Sequence, residues 1–218
     1  MKRTLKKWLP LTTFLVIILG NYAFTQSLPI GRILLTPEDT TSIGTAFVAG
    51  NSKSIYTCSH VALKDTLWFQ YIGSAYNFRI ALKYNLPRYD ISFFQRTGGS
   101  QPNALEFGDF QRIYPGDTIQ YIGYDSRVRE YVLWKAPVSA KGSAIIEGGS
   151  RVEFIEFQGE AIPGYSGGPV LDASGKVVAI LREAWSKTPI KGGPPIRTNR
   201  AFSTELLRVL DSEVKLSH

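Results

Sequence analysis

Ser166 lies in Pro163-Gly164-Tyr165-Ser166-Gly167-Gly168-Pro169, and this stretch carries the most specific chemistry in the chain. A serine hydroxyl is a weak nucleophile until a neighbouring base takes its proton. The reaction also needs backbone N–H groups aimed at the oxyanion that forms on the substrate carbonyl. Glycines on both sides of Ser166 let the backbone turn tightly and approach that oxyanion closely. Read without chemistry, the same seven residues are a glycine-rich turn between two strands.

A base must come from elsewhere, and the chain holds two histidines, His60 and His218. His218 is the last residue, where order is poorest. His60 ends the strand-like run Ile55-Tyr56-Thr57-Cys58-Ser59-His60 and is the candidate general base. The acid that should orient it is Asp90, placed just before the alternating run Ile91-Ser92-Phe93-Phe94. Its bland reading is a turn aspartate after Pro87. Asp65 is too near His60 in sequence, and Asp109 and Asp117 sit in loop-like contexts.

Three blocks together resemble the trypsin-like (chymotrypsin-fold) serine peptidases. They are Gly44-Thr45-Ala46-Phe47-Val48 through Ser59-His60-Val61, then Asp90-Ile91-Ser92-Phe93, then Gly164-Tyr165-Ser166-Gly167-Gly168-Pro169. Gly175-Lys176-Val177-Val178-Ala179-Ile180 adds a weaker fourth. The resemblance is strongest to the bacterial HtrA/DegP-type protease domain, without a PDZ domain. It implies an all-β fold of two antiparallel six-stranded β-barrels with a short C-terminal helix. It also implies a serine endopeptidase with the triad His60, Asp90 and Ser166, and an oxyanion hole from the amides of Gly164 and Ser166. Gly-Tyr-Ser-Gly-Gly also satisfies the α/β-hydrolase pattern, but that class runs serine, acid, histidine, whereas here the order is His60, Asp90, Ser166. A non-catalytic peptide-binding relative and an esterase or acyltransferase with the same triad are the alternative readings.

Specificity rests on fewer residues. Glu160 lies six residues before Ser166, where the family's primary pocket floor often sits, and an acid there would favour Lys or Arg at the cleaved position. The bland alternative is that Glu160 is solvent-exposed or paired with Arg182, which with Glu183 follows the strand that would line the same pocket; Glu160 and Arg182 are the candidate substrate-binding residues. Tyr165 stands where many animal members carry an aspartate, which argues against activation by a freed N-terminus.

The elements that must position these residues are short strands, rich in Val, Ile, Tyr, Phe and Thr and separated by Gly, Pro, Asn and Asp. Twelve runs qualify. The first six are Arg32–Leu35, Ile43–Val48, Ser54–Cys58, Leu67–Tyr71, Phe78–Lys83 and Ile91–Gln95. The second six are Thr118–Ile122, Tyr131–Val138, Val152–Phe157, Val170–Leu171, Val177–Leu181 and Arg200–Phe202. Gly98–Asn103 reads as the linker between halves at about 26–100 and 101–218. Ser203 could cap a helix over Thr204–Leu210.

The formal charge of +7 suggests a nucleic-acid or membrane partner, but Lys2, Arg3, Lys6 and Lys7 supply +4 of it and leave +3 for the rest. No dense basic cluster remains to bind nucleic acid. Those lysines and Arg3 precede an apolar stretch over Trp8–Phe24, the pattern of a secretory signal in residues 1–25. The rest, 26–218, is then exported to the periplasm or secreted, with membrane contact only through that segment if it stays uncleaved. Cys58 is the sole cysteine, which excludes an internal disulfide and reads as a buried small residue. No metal-ligand cluster or phosphate loop is evident, so no cofactor is expected, and the expected partner is a polypeptide substrate.

Overall fold

A computed structural model describes residues 28–50, 54–97, 103–145, 149, 151–159, 162–187, 196–208 and 211, with the backbone alone for 183–187 and 196–197. The signal-like segment, Glu160 and His218 lie outside the described residues.

Strand alternation does the building. In β4 (Thr66–Tyr71), Leu67, Phe69 and Tyr71 are buried while their neighbours are half-exposed. A period of two puts one face of such a strand in the core. Six strands close the first barrel in the order β1-β2-β3-β6-β5-β4: β1 (Ile30–Leu34), β2 (Gly44–Ala49), β3 (Ser54–Thr57), β4, β5 (Phe78–Leu86) and β6 (Ile91–Arg96). Six more close the second in the order β10-β11-β12-β9-β8-β7. These are β7 (Thr118–Asp125), β8 (Glu130–Ile145), β9 (Arg151–Gln158), β10 (Pro169–Leu171), β11 (Val177–Lys187) and β12 (Ile196–Ser203). All pairings within the barrels are antiparallel. Closure leaves no free sheet edge, and the interior of so narrow a barrel is filled by side chains.

Each barrel has its own aromatic centre. Tyr56 and Phe93 meet edge to face at 5.0 Å in the first, and Tyr121 and Phe157 meet at 4.9 Å in the second. Such pairs add about 0.5–1.5 kcal/mol beyond area burial.

The segment after the linker ties the barrels together. Leu105 exchanges backbone hydrogen bonds with Val48 and Gly50 of the first, each 2.9 Å, and Val177 of the second exchanges them with Glu106 and Gly108 at 2.8 Å. A helical turn at 205–208 follows β12, with the Ser203 hydroxyl accepting from the Glu205 amide at 3.2 Å as its cap. Leu207 is fully buried against the first barrel's core.

Candidate active site

The nucleophile loop is shaped by two glycines. Tyr165 N–H donates to the Ile162 carbonyl at 3.0 Å, which closes a turn with Pro163 second and Gly164 third at φ +105°. Proline second and a positive-φ glycine third is the type II arrangement. The Tyr124 carbonyl fills the space where a Cβ on Gly164 would go. Gly167, at φ +86°, donates its amide to Leu181 O at 2.8 Å and faces Thr57 Oγ1 and Thr45 O.

Gly167→Ala is therefore expected to lower the melting temperature. A side chain forced into positive φ costs about 1–3 kcal/mol. Each kcal/mol is about 2–4 °C for a domain of this size. Differential scanning calorimetry measures the shift, and an unchanged midpoint would contradict this packing.

Thr45, on β2, holds the loop from the opposite barrel. Its amide donates to Ser166 O at 2.9 Å, and its hydroxyl donates to Gly164 O at 2.6 Å while accepting from Tyr124 N at 2.9 Å. The carbonyls of Gly164 and Ser166, the two residues expected to offer oxyanion donors, are both fixed in this way. The amides of Tyr165, Gly167 and Gly168 are used inside the scaffold. Tyr165 is buried, and its hydroxyl lies 3.2 Å from Trp134 Nε1, which donates to it.

His60 sits in a one-turn 3-10 segment, Ser59–Val61, that follows β3. Asp90 ends a second such turn, Pro87–Tyr89, in the left-handed conformation at φ 53°, ψ 44°. Aspartate is one of the few side chains that visit this region readily. That twist lets its carboxylate face back onto β3. His60 Nδ1 lies 2.8 Å from Asp90 Oδ2 and 3.0 Å from Oδ1, and the His60 amide donates to Oδ1 at 3.0 Å. The acid is buried, with 8% of its side chain exposed, whereas the imidazole is 49% exposed.

A carboxylate holding Nδ1–H leaves Nε2 as the basic nitrogen. Burial alone would raise the Asp90 pKa. The side-chain and backbone hydrogen bonds from His60, with the charges of His60 and Arg182, outweigh burial and hold it below the usual carboxylate range. Asp109 and Asp117 accept from the amides of Gln111 and Tyr114 in local turns.

Arg182 contacts the buried acid. Its Nε donates to Asp90 Oδ2 at 2.9 Å, and its guanidinium carbon stands 4.7 Å over the Phe202 ring. The expected pairing with Glu160 falls outside the described residues. The carbonyl of Arg182 accepts the Ser166 hydroxyl at 3.3 Å. Among the described residues no hydrogen bond joins that hydroxyl to His60. Catalytic hydrogen bonds are often long or misaligned before substrate arrives.

Cys58 Sγ, His60 and Asp90 offer donor atoms within 4.8 Å of one another. Two features oppose a cation there. Arg182 already occupies the carboxylate. Burial first, and the Asp90 charge next, raise the Cys58 thiol pKa well above its ordinary value.

Residues 44–180 match the family model of the trypsin-like peptidase domain. The chain is 24% identical over 147 residues to probable periplasmic serine endoproteases of the DegP-like type from Pseudomonas putida strains W619 and GB-1. That alignment covers 67% of this chain, and the chain spans 30% of the length of those relatives. Among solved structures, the HtrA-type protease AlgW bound to a tripeptide superposes with a TM-score of 0.71 at 22% identity. It covers 88% of this chain and 62% of AlgW. The protease domain of MamO from Magnetospirillum magneticum superposes at 0.64 and 12% identity, covering 84% of this chain and 96% of that domain. With two closed six-stranded barrels and a family match over more than half its length, the chain belongs to the trypsin-like peptidase domain family.

Proposed function

We propose that the protein is an exported serine endopeptidase that hydrolyses polypeptides through Ser166, His60 and Asp90. The observation that carries this is the buried Asp90 carboxylate 2.8 Å from Nδ1 of a half-exposed His60, across the barrel interface from a glycine-shaped serine loop. Ser166 attacks the scissile carbonyl, and His60 Nε2 takes its proton. Asp90 holds the tautomer and stabilises the imidazolium. The amides of Gly164 and Ser166 receive the oxyanion. His60 then protonates the leaving amine, and water resolves the acyl-enzyme. Each oxyanion donor contributes about 10²–10³ in rate in measured cases.

Export is supported by the basic-then-apolar pattern of residues 1–25 and by the periplasmic naming of the DegP-like relatives. Among the described residues no helix is long and apolar enough to cross a membrane.

The test is digestion of unfolded casein by the protein lacking residues 1–25, with and without a fluorophosphonate inhibitor. Cleavage that the inhibitor abolishes is expected. Turnover of simple esters with casein left intact would move the assignment to an esterase, and binding of casein without cleavage to a peptide-binding relative.

A further inference from the structure

A cation on the acid of a catalytic triad changes what that acid does. Asp90 Oδ2 receives two groups at once, His60 Nδ1 at 2.8 Å and Arg182 Nε at 2.9 Å. Arg182 reaches it from β11 of the second barrel, 92 residues away along the chain. Its side chain is 29% exposed, and Phe202 backs the guanidinium. The backbone of the same residue accepts from the Ser166 hydroxyl. One residue therefore touches the acid through its side chain and the nucleophile through its carbonyl.

We propose that Arg182 is a positioning residue that sets the strength of the base: by sharing Asp90 with His60 it fixes the carboxylate and draws off part of the charge that would stabilise the imidazolium. An imidazolium beside a carboxylate is favoured by the opposite charge, and a second cation on that carboxylate disfavours it. The shared carboxylate therefore stabilises the imidazolium less than an unshared one would. The serine is activated further into the acid range, with a weaker base as the cost. Among the described residues, the charged and titratable groups around His60 are Asp90 from the turn before β6, Arg182 of β11 on that carboxylate, and the neutral thiol of Cys58 just after β3.

This inference rests on the serine-peptidase reading for its meaning, but its test does not need activity. With two histidines in the chain, one of them terminal, the His60 imidazole is readily assigned by NMR. Its titration is compared in the wild type, Arg182→Met, Arg182→Gln and Arg182→Lys. Loss of the charge is expected to raise the His60 midpoint, and Arg182→Lys to restore most of the wild-type value. The acid limb of fluorophosphonate inactivation should move the same way. Equal midpoints in the wild type and in whichever uncharged variant folds would overturn the proposal. A merely structural role would lower the melting temperature without moving the titration. A shifted titration in a protein that never labels would sustain the role of Arg182 and refute the peptidase reading instead.

Discussion

Ser166→Ala is expected to abolish peptide hydrolysis while leaving the fold intact. Removing the serine of a triad lowers kcat by about 10⁶, because the other members then have nothing to activate. Residual turnover of about 10³–10⁴ over water persists in such variants, through oxyanion donors and substrate binding. The structure explains why the protein should survive the change. Among the described residues the hydroxyl makes one hydrogen bond, 3.3 Å to Arg182 O, whereas the loop is held by the backbone of Ser166 and by Thr45. Loss of one such hydrogen bond costs about 0.5–1.5 kcal/mol in stability, too little to unfold the domain. Casein digestion and a thermal melt of the same preparation check both halves. Loss of activity with a collapsed melt would show that the loop, not the nucleophile, was removed.

Asp90→Asn is the second large effect, expected at about 10⁴ in kcat. The reason lies in which atoms Asp90 serves. Oδ1 accepts the His60 amide, so the oxygen of an asparagine must stay there. The amide nitrogen then occupies the Oδ2 position, 2.8 Å from His60 Nδ1. It donates to Nδ1 and leaves the proton on Nε2, the tautomer that cannot receive the Ser166 proton. It also sets a donor against Arg182 Nε.

Stability should change with a definite sign. Because the folded Asp90 pKa is depressed, its contribution is fully present above the unfolded value, about 3.9, and is lost as the pH falls through the folded value. The variant should therefore melt lower than the wild type at neutral pH, with the gap closing in acid. Calorimetry across that range reads the effect, and a constant gap would argue that Asp90 does not hold its partners as a carboxylate.

Much of the architecture was readable because it rests on local pattern. Each of the twelve runs overlaps a strand, with Leu35, Ile43 and Cys58 one residue outside, and the alternation in β4 and β7 separates core from surface residues directly. The run Tyr131–Val138 is the front of a longer strand. β8 passes through Pro137, shifts register between Val138 and Ala140, and continues to Ile145. A proline and a bulge interrupt the signal that ends a strand on paper without ending the sheet.

In the site, His60 was legible by scarcity and Ser166 by its glycines. Asp90 reads on sequence as either a turn residue or a buried acid, and it is both, since the turn is what aims the carboxylate. Thr45 and the Arg182–Asp90 pair were not legible. The contacts involved join residues 119 and 92 positions apart, and the closure of two barrels against each other decides them rather than any local spacing. A hint was present in the charge of Arg182, which directly follows the buried apolar run Val177–Leu181.

The most direct test of the central claim is mass-spectrometric mapping of the adduct formed by a fluorophosphonate on the protein lacking residues 1–25, with Ser166→Ala and His60→Ala beside it. The account predicts one adduct, on the peptide containing Ser166, absent from the first variant and strongly slowed in the second. No adduct on well-folded wild type, or an adduct that persists in Ser166→Ala, would contradict it.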